Sequence, residues 1–313
     1  MMPLFLKPVF HSKVWGGNNL EHYGYNLPSD NVGEAWGISA HPNGRCEIIN
    51  GPFKGQTLDK VWTNNKEMFG DFPSEDFPLM TKMVDAQAPL SVHVHPDDAY
   101  VYEHENGQYG KSECWYIVDA KPGAEIIYGL NVKSKNEALN KIANADFDNL
   151  FNTVKVKPGE FYFIPAGTVH SVGEGIIVYE TMQSSDVSYR IYDYERNQQD
   201  YLDRSLQLDK AQDVLEIKDD DLNLRPDTEL IENHKQVKLV SNDFFTIVKW
   251  QITGTLNYMK PREFVLVSIL KGSGNVIIDG EVYSVNHADN FILTSDDLDT
   301  VFEGELEVII SYM

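Results

Sequence analysis

Cysteine, basic charge and long apolar runs are all scarce in this chain. Two cysteines occur in 313 residues, Cys46 and Cys114, and they form no CxxC pair. A disulfide framework is therefore excluded, and a reducing compartment is expected. No stretch approaches the roughly 18 apolar residues of a membrane-spanning helix. The opening MMPLFLKPVFHSKVW lacks a long apolar core and a small-residue cleavage site, so it is read as a first strand and a cytoplasmic location is expected. Basic residues number 26 against 48 acidic ones, a formal charge of −22. Such a surface repels a nucleic-acid duplex or an anionic membrane, so neither is expected as a partner. It repels a phosphorylated substrate as well, so a site for one would have to concentrate a few basic side chains. No sharp repeat of roughly 20–50 residues is present.

The chain does have short alternating segments punctuated by Gly, Pro, Asn and Asp, the pattern of a sandwich or barrel. LSVHVH (90–95), CWYIVDA (114–120), AEIIYGL (124–130), EFYFIPA (160–166) and GIIVYETMQ (175–183) read as strands. Apolar residues at three- and four-residue spacing predict helices within 56–70 and 133–152, with Ser134 or Asn136 near a cap. Residues 198–235, including the acidic run Asp219–Asp221, read as a connecting segment with some helix. A second strand series then runs to the C-terminus, with a hairpin turn at Asp279–Gly280. Chain order thus predicts a first domain over 1–200 with helical insertions, a connector over 201–235 and a second β-domain over 236–313.

Chemistry concentrates in the first of these. In PLSVHVHP, alternation along a strand puts Leu90, Val92 and Val94 on one face and Ser91, His93 and His95 on the other. Two imidazoles at that spacing can converge on one metal ion, although surface or core histidines fit the spacing too. Glu113 shares a face with Trp115 and Ile117, where an unpaired carboxylate is costly and a cation would relieve it. A solvated strand-entry glutamate is the plainer reading of that residue alone. GEFYFIPAGTVH (159–170) matches the second sequence motif of the cupin superfamily: a strand ending at Pro165, a tight turn at Gly167, and a strand returning His170. The first cupin motif is only partly kept, because Glu113 follows His95 across an inserted PDDAYVYEHENGQYGKS.

VWGG (14–17), GEAWGISAHPNG (33–44), HVHPDD (93–98), GKSECWYI (110–117), FIPAGTVHSV (163–172) and SDVSYRIYDYER (185–196) together resemble the type I mannose-6-phosphate isomerases, in their short bacterial form. The resemblance implies a mainly β fold: a cupin (jelly-roll) barrel with helical insertions, plus a C-terminal cupin-like barrel without a metal site. It implies one zinc ion per chain held by His95, Glu113 and His170, with His93 either a further ligand or a pocket wall. Arg190 falls on the family's active-site arginine. Lys111, Glu180 and Asp186, with Ser91, are the residues expected against the substrate. The implied reaction interconverts mannose 6-phosphate and fructose 6-phosphate through an enediol, and a second copy of the chain is a candidate partner. Two histidines and a glutamate also form the facial triad of non-haem iron oxygenases. A sugar-phosphate sensor would keep the same pocket without turnover. GKSECWYI, SDVSYR and the complete ligand set favour the isomerase.

Overall fold

Period-two alternation does produce strands where it was read, and the helices form where apolar residues recur at helical spacing. The chain is described here by a computed structural model that covers residues 2–105, 109–196, 204–217, 227–297 and 299–313. The run Asp219–Asp221, and with it part of the expected connector, lies outside the described residues. Packing groups the chain into two units that do not follow chain order. One comprises Met1–His11, Asn18–Met83 and Leu224–Met313; the other comprises Ser12–Gly17 and Val84–Asn223.

In the second unit, strands Phe161–Ile164, Glu113–Ala120 and Ile176–Gln183 pair antiparallel in one sheet. A five-stranded sheet holds Tyr189–Tyr192, Val92–Val94, His170–Val172, Glu125–Leu130 and Phe151–Lys155, in that order. Trp115, Ile117, Ile126, Ile164, Val172, Ile176 and Val178 form the core shared by the two sheets. Val92, Val94, Tyr189 and Ile191 point the other way and pack on Ala138 and Ile142 of helix Lys135–Ala143 and Ala211 of helix Leu208–Val214. Ser134 caps the first of these helices by accepting from Glu137 N at 3.2 Å, as the sequence pattern anticipated. The segment read as an inserted loop after His95 contains a further helix, Asp98–His104, capped by Asp97. A bulge between Arg190 and Tyr192 breaks the alternation of that strand. Tyr192 therefore packs on Phe147 at 4.8 Å and does not share a face with Arg190.

In the other unit, the three long strands Thr246–Tyr258, Thr300–Tyr312 and Val265–Ile278 lie side by side. Their buried side chains include Trp250, Ile252, Val267, Phe302 and Val308. Asp279 and Gly280 turn the chain at φ 50° and 84°, the left-handed pair that a two-residue hairpin requires.

Candidate metal centre

Strand Val92–Val94 sits between two neighbours whose register puts Arg190 opposite His93, and His93 opposite His170. Tyr128 extends that row on the next strand. Directly paired residues project from one face, so one row across four strands carries a guanidinium, two imidazoles and a phenol. His95 follows His93 by two residues and returns to the same face. Glu113 arrives from the opposing sheet, at the head of the strand that puts Trp115 in the core. In the turn before His170, Gly167 adopts φ 87°, and its N–H donates to His95 O at 2.8 Å, tying the two histidine-bearing segments together.

Each imidazole is oriented through its Nδ1. His93 Nδ1 meets Ser91 O at 2.7 Å, His95 Nδ1 meets Val187 O at 2.8 Å, and His170 Nδ1 meets Thr168 O at 2.8 Å. A carbonyl can only accept, so each Nδ1 carries a proton, which leaves Nε2 as the nitrogen that can offer a lone pair. His95 Nε2 and His170 Nε2 then face each other at 3.1 Å. Glu113 adds its two oxygens, Oε2 at 3.2 Å from His95 Nε2 and Oε1 at 3.2 Å from His170 Nε2. Acceptors so close repel one another unless a cation lies among them. Donors bound to tetrahedral zinc at about 2.0–2.2 Å stand about 3.3–3.6 Å apart, so the nitrogens and the carboxylate fit such an ion. His93 completes a three-histidine group that could hold a metal, its ligand atom within 4.8 Å of the other two.

Lys111 already supplies one positive charge. Its Nζ is 2.7 Å from His95 Nε2, hydrogen-bonded to Glu113 Oε2, and 3.9 Å from Glu180 Oε1. Burial, then the Lys111 ammonium, pushes His95 down to about 3. Burial with His170 and His95 holds His93 well below its usual range. Burial alone would raise Glu113, but Lys111, His95 and His170 together keep it well below the carboxylate range. His93 and His95 are thus held as neutral imidazoles beside an ionised Glu113 carboxylate, the protonation state in which these groups ligate metals.

The remaining expected residues divide. Glu180 is buried, and its Oε2 accepts from Trp115 Nε1 at 3.3 Å. Ser91 is buried beside the row and lends its carbonyl to His93. Arg190 donates from NH1 to Ser205 O at 2.8 Å, while its backbone exchanges hydrogen bonds with Gln207. Asp186 is exposed, outside the buried cluster. Sequence reasoning missed the orienting groups, which are mostly backbone carbonyls and leave no residue-type signature. It also missed Asp193, which is fully buried and held by Arg196 at 2.9 Å and Arg204 at 2.5 Å just past the Arg190 strand. DYER could have flagged that acid–base spacing.

Fold and side chains together define a cupin-type β fold with a histidine–carboxylate centre. Comparison with known proteins narrows this. Residues 4–114 match the phosphomannose isomerase type I catalytic domain, and residues 235–313 match the mannose-6-phosphate isomerase cupin domain. A mannose-6-phosphate isomerase of Streptococcus mutans is 44% identical, over 99% of this chain and 98% of that protein. One from Bacillus subtilis is 40% identical, over 99% of each. The crystal structure of a Bacillus subtilis mannose 6-phosphate isomerase superposes with a TM-score of 0.96 at 38% identity, covering 100% of both chains. The chain belongs to the type I mannose-6-phosphate isomerase family.

Proposed function

We infer that the chain is an aldose–ketose isomerase that interconverts mannose 6-phosphate and fructose 6-phosphate, using a divalent metal, zinc, held by His95, Glu113 and His170 with His93 beside them. Family membership supports the reaction. The observation that supports the metal is the set of three Nδ1-pinned imidazoles, of which His95 and His170 turn Nε2 toward each other and toward Glu113.

The reaction opens the sugar ring and moves a proton between C2 and C1 through an enediol, so negative charge develops on oxygen. Bound at these residues, the metal would supply Lewis acidity toward those oxygens. The chain's own groups serve the rest. The Arg190 guanidinium, opposite His93, can stabilise developing negative charge through fixed donors. Lys111 places an ammonium among buried carboxylates and, with Arg190, answers the charge problem that a chain of −22 poses for a phosphorylated ligand. Lys111 and Glu180, 3.9 Å apart, are the pair suited to carry the proton between C2 and C1, whereas exposed Asp186 is poorly placed for it. Trp115, packed against His170 at 5.4 Å, helps keep water from the centre.

The test is incubation with mannose 6-phosphate and assay for fructose 6-phosphate, in air and anaerobically, with metal content measured. Equal turnover in both atmospheres, lost on chelation and restored by zinc, is expected. Oxygen-dependent turnover, or binding without product, would overturn the reading.

A further inference from the structure

We propose that Gln183, acting with Asp98, is a positioning residue that fixes the backbone of 110–113 so that Lys111 and Glu113 enter the centre side by side. The proposal rests on the isomerase reading and deepens it. Strand Glu113–Ala120 starts at Glu113, and its last rung pairs Glu113 with Met182. Lys111 therefore lies beyond the ladder, where a chain leaving a helix would ordinarily be loose. Its surroundings are nonetheless held at three successive amides. Gly110 N donates to Asp98 Oδ1 at 2.7 Å, Lys111 N to Pro96 O at 3.0 Å, and Ser112 N to Gln183 Oε1 at 2.9 Å.

Gln183 closes this arrangement from both ends. Its backbone N donates to Ser112 O at 3.1 Å, so both main-chain groups of Ser112 are satisfied by one residue. Its Nε2 donates to the two Asp98 oxygens at 3.0 and 3.2 Å. Ser112 Oγ in turn accepts from Ala166 N at 3.2 Å, inside the turn that returns His170. One side-chain amide thus joins the start of helix Asp98–His104, the segment carrying Lys111 and Glu113, and, through Ser112, the His170 turn. Gln183 and Ser112 are 6% and 1% exposed, so neither hydrogen bond is readily replaced by water. The approach is close as well: a Cβ on Gly110 would lie 2.4 Å from Asp98 N.

The side-chain amide meets both demands at once, with its oxygen as acceptor for Ser112 N and its nitrogen as donor to a carboxylate. Gln183→Glu keeps the acceptor but turns it against Asp98. Asp98→Asn combined with Gln183→Glu restores complementarity, because the asparagine amide donates to the introduced carboxylate while its carbonyl still receives Gly110 N. The experiment compares the unaltered protein, both single variants and the double variant by steady-state kinetics, zinc affinity against a chelator, and amide hydrogen exchange over 110–113. Gln183→Glu is expected to lower kcat/KM and zinc affinity by roughly 10–100-fold, the usual effect of disturbing a group behind the ligands. The same variant should speed exchange at Ser112 by roughly tenfold or more. The double variant should recover each to within about threefold. Asp98 is exposed, so Asp98→Asn folds even if Gln183→Glu does not, and it should speed exchange at Gly110 and Ser112 by a smaller factor. Unchanged exchange in the folded single variants, or a double variant no better than Gln183→Glu, would overturn the proposal. Exchange is independent of the reaction, so an unaltered protein that makes no fructose 6-phosphate would count against the isomerase reading alone.

Discussion

Between the sheets of the unit built from 84–223, Trp115, Ile117 and Val178 share their inward faces with Glu113 and Glu180, and three imidazoles enter from the facing side. On the three long strands of the other unit, the buried apolar side chains include Trp250, Ile252, Phe302, Leu306 and Val308. Among the described residues, the only grouping of three or more metal-ligating side chains is that of His93, His95 and His170. The difference teaches that this β architecture does not dictate its contents. A handful of inward positions decides whether a sheet pair is a reaction vessel or a packed core. Filling them with charge is costly, and here the cost is offset by mutual pairing of Lys111, Glu113 and the imidazoles.

That contrast can be broken most severely at His170. His170→Ala should lower turnover about a thousandfold or more, since several kcal/mol of Lewis-acid stabilisation go with the ion, and should abolish stoichiometric metal. The unit should still melt cooperatively, because the apolar packing around the site does not depend on the ion. Full activity without metal would erase the distinction between the two units. Arg190→Ala should cost about 2.7–4 kcal/mol, roughly a hundred- to a thousandfold in kcat, if its guanidinium meets charge that develops in the transition state. Arg190→Lys should rescue little of it. A rise in KM alone would make Arg190 a phosphate clamp.

The other side of the contrast is tested at Phe302, buried and edge-on to Tyr258 at 5.6 Å. Phe302→Ala should remove about 3–5 kcal/mol of stability while leaving kcat per folded molecule unchanged. A fall in kcat at full folding would show that the apolar unit reaches the chemistry. The smallest effect is a difference of sign with pH in the chelated protein. Between about 3 and 6.5 the unfolded chain protonates His95 and the folded chain does not, so this contribution falls as pH drops through that window. Burial raises Asp289 and Asp297 above 3.8, so the folded chain binds the extra protons and their contribution improves as pH falls toward that value. Thermal melts from pH 4 to 8 should show a shallower acid loss in His95→Gln and a steeper one in Asp297→Asn. Identical profiles in all three would refute the assignment.

Much of this was legible in the residues. His93 and His95 announce themselves by alternation, and His170 by the turn chemistry of PAGTVH, because both signals are local. Glu113 could be placed by its strand partners Trp115 and Ile117. What stayed hidden was non-local or irregular. Helix Asp98–His104 is a single short stretch between a proline and a polar run of sequence, too brief for its periodicity to stand out. The bulge after Arg190 cannot be read from side chains, and strict alternation would have put Tyr192 on the face of Arg190. Gln183 and Asp98 are 85 positions apart, and nothing in either neighbourhood names the other. The grouping of Asn18–Met83 with the C-terminal strands likewise runs against chain order.

The row Arg190–His93–His170–Tyr128 has a consequence for assembly. Its members sit on four separate strands, so their spacing is an interval of the sheet itself, and a slip of one residue in any strand sends that side chain to the opposite face. A chain that paired its strands one step out could bury a plausible amount of apolar surface and still have no place for an ion. Metal uptake would therefore act as a fidelity check on folding, rewarding only the copy whose strands are in step.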